Sequence, residues 1–175
     1  MNICLDIEKN ELRFDALFCR ERNFDILKRD IVFGGRKALL YMVDGFIKDE
    51  LLEKIMEFFS KLKPKNLEDE ETFKKTGIPY CSVSYESDDE KITTAVLSGK
   101  TALIIDGFTS AFIMELRTYP QRENAEPDRD KVMRGSRDGF TETVTLNAAL
   151  IRRRIRDCNL SVEYQTVGIV SKTDI

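Results

Sequence analysis

Residues 134–139 read Arg-Gly-Ser-Arg-Asp-Gly and run into a helical pattern. Two glycines and two arginines at a helix start are the ingredients of an anion nest, in which backbone N–H groups face a negative ligand. No Gly-Lys-Ser/Thr follows and no strand leads directly in, so the stretch is not a P-loop. Turn and interface geometry is the plainer reading: Gly135 and Gly139 permit sharp turns, and Asp138 is placed to cap the new helix. Further on, Arg152, Arg153, Arg154 and Arg156 cluster near the end of that helix, where its dipole favours cations. At about 100° per residue, three consecutive arginines point in different directions and cannot serve one ligand. Some of them are expected to pair with carboxylates on a neighbouring element or subunit, Glu126 and Glu142 being the candidates nearest in sequence.

Other chemistry has little to stand on. The chain has no histidine, the commonest general base and metal ligand. Ser/His/Asp and Cys/His sites are therefore excluded. Cys4, Cys19, Cys81 and Cys158 lie far apart with no CxxC pair, which reads as reduced thiols rather than a disulfide framework or zinc site. Asp44 and Asp106 both end apolar strands in Asp-Gly (LYMVDGF and LIIDGF), and turn chemistry accounts for both. No catalytic residue, cofactor or metal is assigned. A net charge of −3 supplies no field for nucleic acid, and the arginine cluster lacks interleaved aromatics.

Among 175 residues, hydrophobic types make up 42% and charged types 34%, the balance of a folded chain. No apolar run approaches the length of a membrane span. A short helix is expected over residues 12–20. A strand over 24–33, the Gly34-Gly35 turn and a returning strand over 36–46 make a hairpin; the unbroken apolar run of the second strand marks it as central. Residues 49–62 carry the clearest apolar helical stripe, through Ile55 and Phe59. The charged stretch 63–77 reads as a connecting loop. A short strand over 80–85, a helix over 88–97 and a second hairpin over 101–108 and 111–117 follow. Residues 119–129, with two prolines, read as a linker. A helix is expected over 140–155, with a stripe of Phe140, Val144, Ala148, Ile151 and Ile155, then a strand over 160–167. The expected fold is α/β, a mixed sheet with flanking helices, in two small subdomains: residues 10–117, a linker over 118–133, and the truncated start of a second unit over 134–175.

The block after Glu115 resembles the central signature of the spore germinant-receptor A-subunit family. The matching elements are Tyr119-Pro120-Gln121-Arg122, Glu126-Pro127, Arg134-Gly135-Ser136-Arg137-Asp138-Gly139-Phe140-Thr141-Glu142 and Asn147-Ala148-Ala149-Leu150-Ile151-Arg152-Arg153. The Arg-Gly-Ser-Arg-Asp-Gly version, the segment from Ile31 to Phe58 and the ending VEYQTVGIVSKTDI are most similar to the family's stage V sporulation branch. The resemblance implies a cytosolic N-terminal region of two α/β subdomains in a protein of the spore inner membrane, held there by spans beyond Ile175. It implies germination by ion movement, other germination membrane-protein subunits as partners, and a homo-oligomer in the full-length form. The chain is then a regulatory or assembly domain, with a small-molecule sensor binding between subdomains as the alternative. Arg122, Glu126, Arg134, Gly135, Arg137, Asp138, Gly139, Glu142, Asn147, Arg152, Arg153 and Arg154 become the residues of an architectural joint.

Overall fold

The structure, a computed structural model, describes residues 1–119 and 140–175. Along the chain run α1 (Ile7–Leu17), β1 (Ile26–Phe33), β2 (Arg36–Val43), α2 (Asp49–Lys61), α3 (Glu70–Thr76), β3 (Val83–Glu86), α4 (Asp89–Leu97), β4 (Thr101–Ile105), β5 (Ala111–Met114), α5 (Val144–Arg154), β6 (Thr166–Val167) and β7 (Thr173–Asp174). The first five strands form one sheet in the order β1-β2-β4-β5-β3, and β6 pairs with β7 apart from it.

The α/β class is the one expected. The strand pairings, expected to be mixed, are antiparallel throughout. Gly34 and Gly35 both take positive φ (55° and 79°), the backbone twist that a two-residue hairpin turn requires. They set Phe33 opposite Arg36 and Ile26 opposite Val43. From Ala38 to Val43 every residue of β2 is buried, because helices cover both faces of the sheet. Alternation sends Leu39, Tyr41 and Val43 to one face, where they meet Phe14 and Phe18 on the α1 side and Ile92 and Val96 of α4. Ala38, Leu40 and Met42 go to the other, against Leu52, Ile55 and Phe59 of α2 and Phe73 of α3. Phe33 stacks flat on Phe59 with ring centroids 4.4 Å apart.

Three elements differ from the sequence reading. Helix α1 begins at Ile7, ahead of the expected residue 12, because Asp6 caps it by accepting from the N–H groups of Glu8 and Lys9 at 3.0 and 3.3 Å. A second carboxylate joins in, since Asp106 Oδ1 accepts from the N–H of Ile7 at 3.2 Å. The charged stretch 63–77 holds a 3-10 turn (Pro64–Leu67) and α3 rather than a plain loop. Its few apolar side chains decide the matter: Leu67 and Phe73 are buried among Phe33, Phe108 and Phe112, while Lys63, Lys65, Glu68, Asp69, Glu71 and Lys75 face out. Burial of Glu70 works against its charge, yet bonds from Lys74, Ser110 and Thr109 outweigh it and hold the carboxyl down at about 2. Residues 160–167, expected as one strand, make a single parallel bridge at Val162 to Asn23 and then the short β6. Exposed on both sides for most of their length, they have no sheet face against which alternation could act.

Candidate functional site

Helix α5 is where the arginine motif enters the described structure. It starts at Val144, not Phe140, and Phe140 is exposed. Thr143 is the residue at its N-cap and makes no side-chain cap bond. Asn147 instead holds the loop that leads in. Its Oδ1 accepts from the N–H of Thr141 at 2.6 Å and its Nδ2 donates to the Thr141 carbonyl at 2.7 Å, tying the incoming loop to the first turn. The buried face of α5 is Ala148, Ala149 and Arg152, so of the expected stripe Phe140, Val144, Ala148, Ile151 and Ile155 only Ala148 lies on it. Small side chains explain the choice of face. A Cβ on Gly45 would lie 3.1 Å from the Ala149 Cβ, so the helix sits on the first Asp-Gly turn at a separation only glycine and alanine allow. The Asp44 carboxylate completes that turn by accepting from the Gly45 N–H at 2.9 Å.

Arg152 is fully buried, as is Asp25 beneath it. The guanidinium meets the carboxylate in a two-pronged pair: Nε donates to Oδ2 at 2.8 Å and Nη2 to Oδ1 at 3.0 Å. Nη2 also donates to Asn23 Oδ1 at 3.2 Å, and Nη1 to the carbonyls of Asp157 and Leu160 at 3.2 and 3.1 Å. All five guanidinium N–H groups are thereby used, the condition under which a buried arginine is tolerated. Asn23 extends the network, donating from Nδ2 to the Phe18 carbonyl at 2.8 Å and accepting at Oδ1 from the N–H of Val162 at 2.7 Å. One side chain thus fixes α5, the loop after it and the residues leading into β1.

The remaining motif residues divide clearly. Arg153 is exposed and lies over the Tyr119 ring, 4.5 Å from its centroid. Arg117 stacks on the same ring at 4.8 Å, and Phe46 meets it edge-on at 5.3 Å. The Tyr119 hydroxyl donates to the Ser98 carbonyl at 3.0 Å. Arg154 and Glu142 are exposed. The carboxylate that pairs with Arg152 is Asp25, not Glu142: chain proximity was the wrong guide, because the hairpin start brings Asp25 under the helix from 127 positions away. Arg122, Glu126, Arg134, Gly135, Arg137, Asp138 and Gly139 lie outside the described residues. Sequence reasoning missed Asp25, Asn23 and Gly45. Only Gly45 left a signal, in the Asp-Gly turn. Among the described residues, no helix is long and apolar enough to cross a membrane.

The α/β fold has a solved counterpart. The chain superposes on the crystal structure of the N-terminal domain of the A subunit of the Bacillus megaterium spore germinant receptor GerK3 with a TM-score of 0.75 and 19% identity, covering 99% of this chain and 64% of that one. Residues 15–175 match the family described as Bacillus/Clostridium GerA spore germination protein, and the chain belongs to that family. It is 33% identical to stage V sporulation protein AF of Bacillus subtilis over 95% of this chain and 34% of that protein. It is 28% identical to spore germination protein B1 of the same organism, over 88% of this chain and 32% of that one. The chain therefore spans about a third of the length of these curated relatives.

Proposed function

We propose that the chain is the cytosolic N-terminal region of a spore inner-membrane protein that promotes germination, and that it serves as a regulatory and assembly domain rather than an enzyme. In the intact protein the partners are other germination membrane-protein subunits and further copies of the same chain, in an ion-channel-like complex. The proposal keeps the division of the chain into a first unit over residues 10–117, a connection over 118–133 and the opening of a second unit over 134–175. The observation that carries it is the fully satisfied, fully buried Arg152, which clamps α5 to the sheet-bearing unit. A clamp of this kind fixes the orientation of whatever follows it, which is what an assembly domain must do.

The test is made in spores. Arg152→Ala is introduced into the intact protein, and germination rate and co-purification of partner subunits are measured alongside the denaturation midpoint of the isolated chain. The expected result is a lowered midpoint, loss of partner subunits from the purified complex and slowed germination. A chain that is destabilised while germination and subunit recovery stay at the parent level overturns the assembly role.

A further inference from the structure

Strand β1 is an edge of the five-stranded sheet, with β2 on its one paired side. The Asp44 N–H donates to the Asp25 carbonyl at 2.7 Å, which fixes the alternation along this stretch. Asp25, Leu27 and Arg29 aim their backbone groups at β2, and Phe24, Ile26 and Lys28 turn N–H and C=O to the open side. The first open group is already in use. Phe24 N–H donates to the Val162 carbonyl at 3.1 Å, Asn23 and Val162 form a parallel bridge, and the rings of Phe24 and Tyr164 meet with centroids 5.5 Å apart. With the Val162 carbonyl facing β1, alternation turns the N–H and C=O of Tyr164 and Thr166 to the same side. The hairpin of β6 and β7 does not need those groups. Gln165 and Ile175 exchange both backbone bonds, at 2.9 and 2.8 Å, and Val167 stands opposite Thr173, so it is the intervening residues that bond β7. Both short strands are exposed, and a two-stranded hairpin with no sheet to lie against is marginal in water.

We infer that the β6–β7 hairpin is a strap that closes on the open edge of β1, zipping up in the parallel register that Val162 has begun. Ile26 N–H, which now donates to the Asn23 carbonyl at 3.3 Å, turns to the Tyr164 carbonyl. Thr166 N–H then donates to the Ile26 carbonyl and Lys28 N–H to the Thr166 carbonyl, the slanted pattern of a parallel ladder. The hairpin gives up nothing, because Gln165 and Val167 keep their bonds to β7. The sheet becomes continuous in the order β7-β6-β1-β2-β4-β5-β3. Closure covers an edge that would otherwise pair with other chains; beyond the zipped stretch, the exposed charges of Arg29 and Asp30 blunt the remainder. It also takes place beside the clamp, since Asn23 and Asp25, at the start of the zipped stretch, are the acceptors of Arg152. The seam thus has two positions, the open one of this structure and a closed one in which the strap lies along β1.

The experiment is residue-resolved amide hydrogen exchange by NMR on the parent chain and two proline variants. Thr166→Pro removes an N–H that the hairpin does not use, and Lys28→Pro one that β1 does not give to β2; proline is tolerated where the N–H faces off the edge of a sheet. In the parent, Lys28 and Thr166 N–H are expected to exchange slowly. Thr166→Pro is expected to abolish the protection of Lys28 while Gln165 and Ile175 keep theirs, and Lys28→Pro to abolish that of Thr166 while Leu27 and Met42 keep theirs. If either reporter amide exchanges alike in the parent and in the variant that should expose it, the inference falls. Protection of Lys28 that disappears on dilution places a strand of another copy on the edge and overturns it equally.

Discussion

Arg152 and Asp25 meet through two parallel hydrogen bonds of 2.8 and 3.0 Å, with both side chains sealed from solvent. Desolvating both charges is costly, and the pair is retained because every donor on the arginine finds an acceptor. Removing one side strands the other. Arg152→Ala should therefore lower stability by about 3–5 kcal/mol, and Asp25→Ala by a similar amount. Arg152→Lys should restore only part of the loss, since an ammonium cannot reproduce the fork that reaches Asp25 and two carbonyls together. Urea denaturation midpoints of the three variants check this. A lysine variant as stable as the parent would show that charge alone suffices.

The flat stack of Phe59 on Phe33 anchors α2 to the sheet. Phe59 is 1% exposed, so Phe59→Ala leaves a cavity the surrounding aromatics cannot fill. The expected loss is about 3–5 kcal/mol, read as a shift in the equilibrium unfolding midpoint.

Glu70 sets an acid limit. Its carboxyl titrates at about 2 in the folded chain against an ordinary value of 4.5. A carboxyl held low in the fold contributes stability that is complete above the unfolded value and disappears as pH falls toward the folded one. The contribution, on the order of 2 kcal/mol once solvent screening of a partly exposed group is allowed for, should therefore fade between about pH 5 and pH 2. Stability of the parent and of Glu70→Gln, followed across that range, should converge at the acid end and separate at neutrality. Curves that stay parallel would remove Glu70 from the acid response.

Gly45→Ala tests the seat of α5. The residue has φ of 77°, and the added methyl would press on the Ala149 Cβ at 3.1 Å. Left-handed backbone alone costs an alanine about 1–2 kcal/mol. Hydrogen exchange should report the rest: amides of α5 should lose protection while those of β4 keep it.

The sheet was legible in the sequence wherever a periodicity met a simple turn. Gly34-Gly35 between two apolar runs could only be a hairpin, and the stripe through Ile55 and Phe59 could only be a helix on a core. Elements failed where a few buried residues outvoted many exposed ones. In α3, Phe73 alone carries the decision among Lys, Glu and Thr. In α5 only Ala148 of the expected stripe is buried; Ala149 and Arg152 share its face, turned there by the close seat of Ala149 on Gly45. The site was half legible for a different reason. A run of arginines announces that carboxylates are needed, but which carboxylate answers depends on the path of the chain, and nothing local to Asp25 marks it. The GerA family and the α/β class, by contrast, followed from the long motif and from the sheet pattern.

The strand order also dictates a timetable for a chain made from its N-terminus. The hairpin of β1 and β2 can close as soon as it emerges, since its partners are adjacent. Strand β3 cannot follow suit, because its neighbour in the sheet is β5, which has yet to be synthesised. Phe73 likewise waits for Phe108 and Phe112. A chain that has emerged past Val83 but not yet as far as Ala111 therefore exposes a sticky, half-roofed intermediate, and the emergence of β5 seats β3 and completes the ring cluster. Slow translation over that interval is the condition under which this domain most needs a chaperone.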